Sequence, residues 1–186
     1  MLTTPHAPRG AADIFDARKA TDDLEKLAVD FRGRERDLRT AVAQYFKAAL
    51  NEGRVKAEEL LLKDRHGRRC AERLCVMQDE IIRILFEFAA KHLYPSLNPS
   101  DSERMTVVAT GGYGRGLLAP GSDIDLLFVL PYKQTAWGES IAEAILYCLW
   151  DMGLKVGHAT RSVDECIRQA KADMTCLLYT SDAADE

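Results

Sequence analysis

The stretch ATGGYGRGLLAPGSDIDLLFVLP, residues 109–131, constrains the fold of this chain more than any other. It closes on DIDLLFVLP (123–131), an apolar run that reads as a strand, yet the run carries Asp123 and Asp125. Burying an ionised carboxylate is costly unless it is paired or bound to a metal. Strand side chains alternate, so the two aspartates share one face while Ile124 and Leu126 take the other, toward a core. Carboxylates about 6–7 Å apart on one face can converge on a single divalent cation. Oxygen-only ligands suit Mg2+, with Mn2+ as the alternative.

The residues before the acidic run fit the same chemistry. MTVVATG (105–111) is a short β-rich segment that ends in Gly111 and Gly112. Without a Cβ, both let backbone N–H groups approach a ligand closely. Phosphate oxygens are the natural ligand beside a divalent cation. Arg115 lies in the loop and has the charge and fork geometry to neutralise a polyphosphate. Gly116, Pro120 and Gly121 shape the return, and Ser122 offers a hydroxyl at the turn.

Elsewhere the periodicity is helical. Apolar positions 31, 38, 42, 45, 46, 49 and 50 predict a helix that stops or hinges at Gly53, followed by a short helix over 54–62. KDRHGRR (63–69) reads as a solvated basic connector, with a phosphate patch as its functional alternative. Residues 69–94 predict the longest helix, with Leu74, Met77, Ile81, Leu85, Phe88 and Leu93 along one side. YPSLNPSDSE (94–103) breaks the pattern. Beyond the acidic strand, 135–152 predict a helix, LKVGHATRS (154–162) a third strand, and 163–172 a last helix capped by Ser162.

The expected fold class is α+β: a helical N-terminal arm, then a small mixed sheet flanked by helices and incomplete at its C-terminal end. The expected divisions are a polar lead-in (1–13), the arm (14–103), the core (104–175) and a tail (176–186). The tail, CLLYTSDAADE, reads as a truncation or a non-native ending, because three strands make a small sheet for such a core.

Composition excludes several classes. A net charge of −4 argues against a general nucleic-acid binder. The apolar runs are too short for a membrane helix, and the first residues carry no signal core. The five cysteines (70, 75, 148, 166 and 176) are odd in number and lack a Cys-x-x-Cys, so reduced thiols in the cytoplasm are expected. His6, His66, His92 and His158 are scattered and build no metal cluster.

The order of strand, Gly-Gly, ten residues and Asp-hydrophobic-Asp resembles the signature of the DNA polymerase beta-like nucleotidyltransferases. GGYGRGLLAPGSDIDLLFVLP, with LWDMGLKVGHATRSVDECI after it, is similar to the N-terminal domain of the bacterial PII uridylyltransferase/uridylyl-removing family. That resemblance runs from about Thr106 to Ala172 and has several implications. UMP passes from UTP to a tyrosine of the PII nitrogen-signalling protein, and pyrophosphate leaves. Asp123 and Asp125 bind magnesium and are catalytic, while Gly111, Gly112 and Ser122 cradle phosphates.

The family's full-length members also carry an HD phosphohydrolase domain, the seat of uridylyl removal, and ACT regulatory domains. None of the four histidines here precedes an aspartate. Many members of the superfamily add a third carboxylate from a later strand, where this chain has Gly157 and His158. Asp151 and Asp164 flank that strand and look less well aimed. His158 reads equally as a near-site polar group or an ordinary strand histidine. The competing functions are an adenylyltransferase acting on glutamine synthetase, an antibiotic nucleotidyltransferase, and a nucleotide sensor without catalysis. An acid in the VGHATRS strand would mark the adenylyltransferase, and intact Asp123 and Asp125 weigh against the sensor.

Overall fold

A computed structural model describes residues 13–96, 103–132 and 135–172. The fold is α+β, with helices first and a three-stranded mixed sheet after them. The chain forms two compact units. One holds the residues up to Phe88 together with Gly116–Ser122, and the other holds Ala89–Arg115 and the residues from Asp123 onward. The chain passes from one unit to the other at 88/89 and again on either side of 116–122. Two hydrogen bonds show why. The Trp137 indole donates to the Tyr94 carbonyl at 2.9 Å, within the second unit. The Leu118 amide donates to the Ala71 carbonyl at 3.3 Å, which fixes 116–122 to the first. The expected tail, 176–186, lies outside the described residues.

Among the described residues the first unit holds three helices and the 116–122 segment. Helix α1 (Ala17–Asp30) starts at Asp16, whose carboxylate accepts from the Lys19 amide at 2.9 Å. Helix α2 (Glu35–Asp64) buries Leu38, Val42, Phe46, Leu50 and Ala57, and helix α3 (Gly67–Phe88) buries Leu74, Met77, Ile81, Leu85 and Phe88. These three- and four-residue spacings put one side of each helix in the core. The expected break at Gly53 does not occur: α2 runs through it unbroken, and Phe31 instead caps α1.

Gly53 serves packing rather than termination. A Cβ there would overlap the Met77 sulfur and come within 3.2 Å of the Ile14 carbonyl oxygen. Met77 and Ile14 are both almost fully buried, so neither has room to withdraw. Gly53→Val is expected to lower stability by about 2 kcal/mol, as overpacking does. A shift of the urea midpoint at unchanged slope would measure this.

The basic run behaves as a connector. Arg65 adopts the left-handed conformation (φ 54°) and its amide caps α2 on the Leu61 carbonyl at 2.7 Å. Arg73 pairs with Asp64 and Arg68 with Glu72, each at 2.9 Å. The helix expected over 69–94 is α3 as far as Phe88. A π-helical turn over Ala89–Leu93 belongs to the second unit.

In that unit β1 (Thr106–Ala109) pairs antiparallel with β2 (Ile124–Leu130), and β2 pairs parallel with β3 (Val156–Ser162). Between β1 and β2 stands a one-turn helix, α4 (Gly111–Gly114). Helix α5 (Ala136–Asp151) connects β2 to β3 and is capped by Thr135, whose hydroxyl accepts from the Gly138 amide at 3.1 Å. A Cβ on Gly138 would meet Leu130 Cδ2 at 2.9 Å, so α5 lies very close to the end of β2. Ile124, Leu126, Phe128 and Leu130 are buried on one face of β2, as are Ile141, Ile145 and Leu149 on α5.

Helix α6 (Val163–Ala172) opens with a capping box. The Glu165 amide donates to Ser162 Oγ at 3.2 Å, while the Ser162 amide donates to the Glu165 carboxylate at 2.7 Å. Hydrogen bonds from the Ser162 amide and hydroxyl hold the Glu165 carboxyl below its ordinary pKa. No disulfide joins Cys70, Cys75, Cys148 and Cys166. Burial pushes the thiols of Cys75 and Cys148 up to about 12, which leaves both protonated and poor as nucleophiles. Among the described residues no helix is long and apolar enough to cross a membrane.

Candidate functional site

The site gathers where β1 ends and β2 begins. Asp125 is the second residue of β2 and half-buried. Asp123 is exposed and stands one residue before the strand, so the expected strand 123–131 is shortened at both ends. The backbone of Asp125 is fixed on one side by the Thr110 amide, which donates to its carbonyl at 2.9 Å. On the other side β3 lies alongside, with Gly157 as its register partner. The Ile124 amide donates to the Lys155 carbonyl at 3.0 Å, tying down the residue between the two aspartates.

The glycines of GGYG do different jobs. Gly111 has φ +57°, and a Cβ built on it would lie 2.5 Å from Asp125 Oδ2. The Asp125 carboxylate therefore occupies the space that any other residue at 111 would fill. A Cβ on Gly114 would come 2.6 Å from the Ala109 carbonyl oxygen, so the α4 turn folds tightly onto the end of β1. Gly112 differs from both. A Cβ there would meet only Arg115 Nη2, at 3.6 Å, an ordinary contact. Packing within the chain explains Gly111 and Gly114 and leaves the bareness of Gly112 unexplained.

Gly111 and Gly112 begin α4 and are not part of β1, since Thr110 stands between them and the strand. Arg115 is exposed at the end of α4, with its amide on the Gly112 carbonyl at 3.2 Å and its guanidinium curled back beside Gly112. Ser122 belongs to the segment that clusters with the helical unit, and its amide donates to the Ala119 carbonyl at 3.1 Å in a turn.

Register settles the place of His158. It is paired with Leu126, so it lies on the core face of the sheet, opposite Asp125. There its ring meets Trp150 edge to face, 5.9 Å between centroids. It is an exposed strand histidine whose ring touches α5. Asp151 ends α5 and Asp164 lies in the first turn of α6. No group of three or more His, Cys, Asp or Glu residues able to hold a metal occurs among the described residues.

The donor set suits a hard cation even so. Asp123 is exposed and Asp125 half-buried, both carry oxygen donors, and Gly111 puts no side chain against Asp125. A magnesium ion held by one or two carboxylates takes its remaining oxygens from water and from substrate phosphates. Gly114 and Thr110 are not distinguished by spacing alone. The GGYG spacing signals a tight turn, but only the Ala109 contact shows which glycine it requires.

Residues 97–172 match the family model described as a nucleotidyltransferase domain. The chain is 67% identical over 174 residues to a bifunctional uridylyltransferase/uridylyl-removing enzyme of Bradyrhizobium diazoefficiens, covering 94% of this chain and 19% of that protein. Its identity to the protein of that name in Rhodopseudomonas palustris is 66%, over 90% of the chain and 18% of the relative. For Nitrobacter hamburgensis the figures are 64%, 94% and 19%. The chain thus spans about a fifth of the length of these curated relatives. No solved structure matches it.

Proposed function

We infer the role of this chain from the family to which it belongs, the bifunctional uridylyltransferase/uridylyl-removing enzymes, whose nucleotidyltransferase domain it carries. The proposed reaction is transfer of UMP from UTP to a tyrosine hydroxyl of a PII-type signalling protein, in the cytoplasm. The phenol oxygen forms a bond to the α-phosphorus, the α–β phosphoanhydride bond breaks, and pyrophosphate leaves as the phenol loses its proton. The observation that carries this reading is the contact between Asp125 and the side-chain-free Gly111, which brings the acidic strand to the glycine turn.

Asp123 and Asp125 are the residues that would hold Mg2+ or Mn2+. Such an ion, when bound, neutralises charge on the phosphates and favours in-line displacement. The chain's own work is positioning. Asp125 is braced by β1 and β3, so its carboxylate starts from a fixed place. Gly112 leaves its backbone open for phosphate oxygens, and Arg115 beside it supplies positive charge. Positioning of this kind lowers the barrier by orientation, without a covalent enzyme intermediate.

The test is binding and chemistry in sequence. UTP should bind the chain only with magnesium or manganese present, and removing the metal with EDTA should release it. With a PII-type acceptor added, pyrophosphate should appear in step with acceptor modification. UTP binding that is indifferent to EDTA would sink the two-aspartate reading.

A further inference from the structure

On the strand beside Asp125, one arginine has no role in the fold that its contacts explain. Register places Gly157, Ala159 and Arg161 of β3 opposite Asp125, Leu127 and Val129 of β2. Paired residues of a parallel ladder share a face, so Arg161 lies on the face of Asp125. Between them on β3 stand only a glycine and an alanine, each half-buried. Arg161 is itself half-buried, and its Nη1 is shielded from solvent with no hydrogen-bond partner among the described residues. Glu165, the carboxylate that feels its charge, is already engaged by the Ser162 amide and hydroxyl. A buried donor left without a partner calls for an acceptor from elsewhere.

The position says which acceptor. Four strand steps separate Gly157 from Arg161, roughly 13 Å at about 3.3 Å per residue. On the uridylyl-transfer reading, the phosphates are engaged at the other end of this lane, by Asp123, Asp125, Gly112 and Arg115. What a nucleotide lying along β3 brings toward Arg161 is its base. Resting on that reading, we propose that Arg161 is a specificity-determining residue whose guanidinium donates to a carbonyl oxygen on the edge of uracil. A guanidinium has donors only. Uracil presents a carbonyl where cytosine presents an amino group, so cytosine would set donor against donor. A site built to pair with a polar group rejects the analogue that cannot pair.

The experiment measures dissociation constants of the 186-residue chain for UTP and CTP, with magnesium and without acceptor. The wild type is expected to favour UTP by about tenfold or more, the scale of one well-made hydrogen bond. Arg161→Met should bring the ratio close to one by weakening UTP while CTP holds or tightens. Arg161→Lys, which keeps a donor and the charge, should retain part of the ratio. A wild type without preference overturns the inference. So does an Arg161→Met variant with the wild-type ratio, or one in which UTP and CTP weaken together, as loss of a phosphate contact or of folding would give. If the wild type binds neither nucleotide, the uridylyl-transfer reading itself fails.

Discussion

Asp125→Asn should remove magnesium-dependent UTP binding from this chain, and the matching change in a full-length relative should lower uridylyl transfer at least about a thousandfold. The substitution keeps the shape of the side chain and removes its charge. Metal-assisted stabilisation is worth several kcal/mol, and about 4 kcal/mol corresponds to three powers of ten in rate. The fold should survive. Asp125 is held by its backbone, through the Thr110 amide and the β3 ladder, and asparagine leaves both intact. Melting temperature and far-UV circular dichroism should therefore match the wild type while turnover disappears. Turnover within a few fold of wild type would refute the assignment of Asp125.

Gly111→Ala is expected to damage the site almost as severely by a different route. The backbone there is left-handed, at φ +57°, and alanine strains it by about 1–2 kcal/mol. The new Cβ also falls 2.5 Å from Asp125 Oδ2, so the carboxylate must move. Misplacing a catalytic group by an ångström costs about a hundredfold in rate. Gly112→Ala is the matched control. It meets nothing but an ordinary contact to Arg115, so stability should hold while UTP affinity falls. A Gly112→Ala chain that binds UTP normally would show that phosphates do not come close to that backbone. Calorimetric melting together with UTP titration of the two variants separates these effects.

The contrast between the two glycines shows how far the sequence can be read. Gly111 and Gly112 are equivalent as letters, and both were legible as a place where backbone approaches something. Only the tertiary structure shows that Gly111 approaches Asp125, whereas among the described residues a Cβ at Gly112 would meet only the Arg115 guanidinium, at an ordinary contact distance. The same limit explains Gly53. Glycine's weak helix propensity suggests a stop, but close packing against Met77 and Ile14 decides the matter, and the contact joins residues far apart in the chain. The Ser162 cap was legible because Ser-x-x-Glu is a local signal whose partners are three residues apart.

By itself the sequence determined the order of elements from the first strand onward, the alternation that buries Ile124 and Leu126, and the acidic pair beside a glycine turn. Each rests on spacing within one segment, which helix and strand geometry convert directly into a face. The tertiary structure decided what depends on a neighbouring strand or helix: that α2 is unbroken at Gly53, that β2 starts only after Asp123, and that His158 turns toward Trp150 while Arg161 shares the face of Asp125. A single strand alternates identically in either setting, so only its register against β2 determines which residues reach the site.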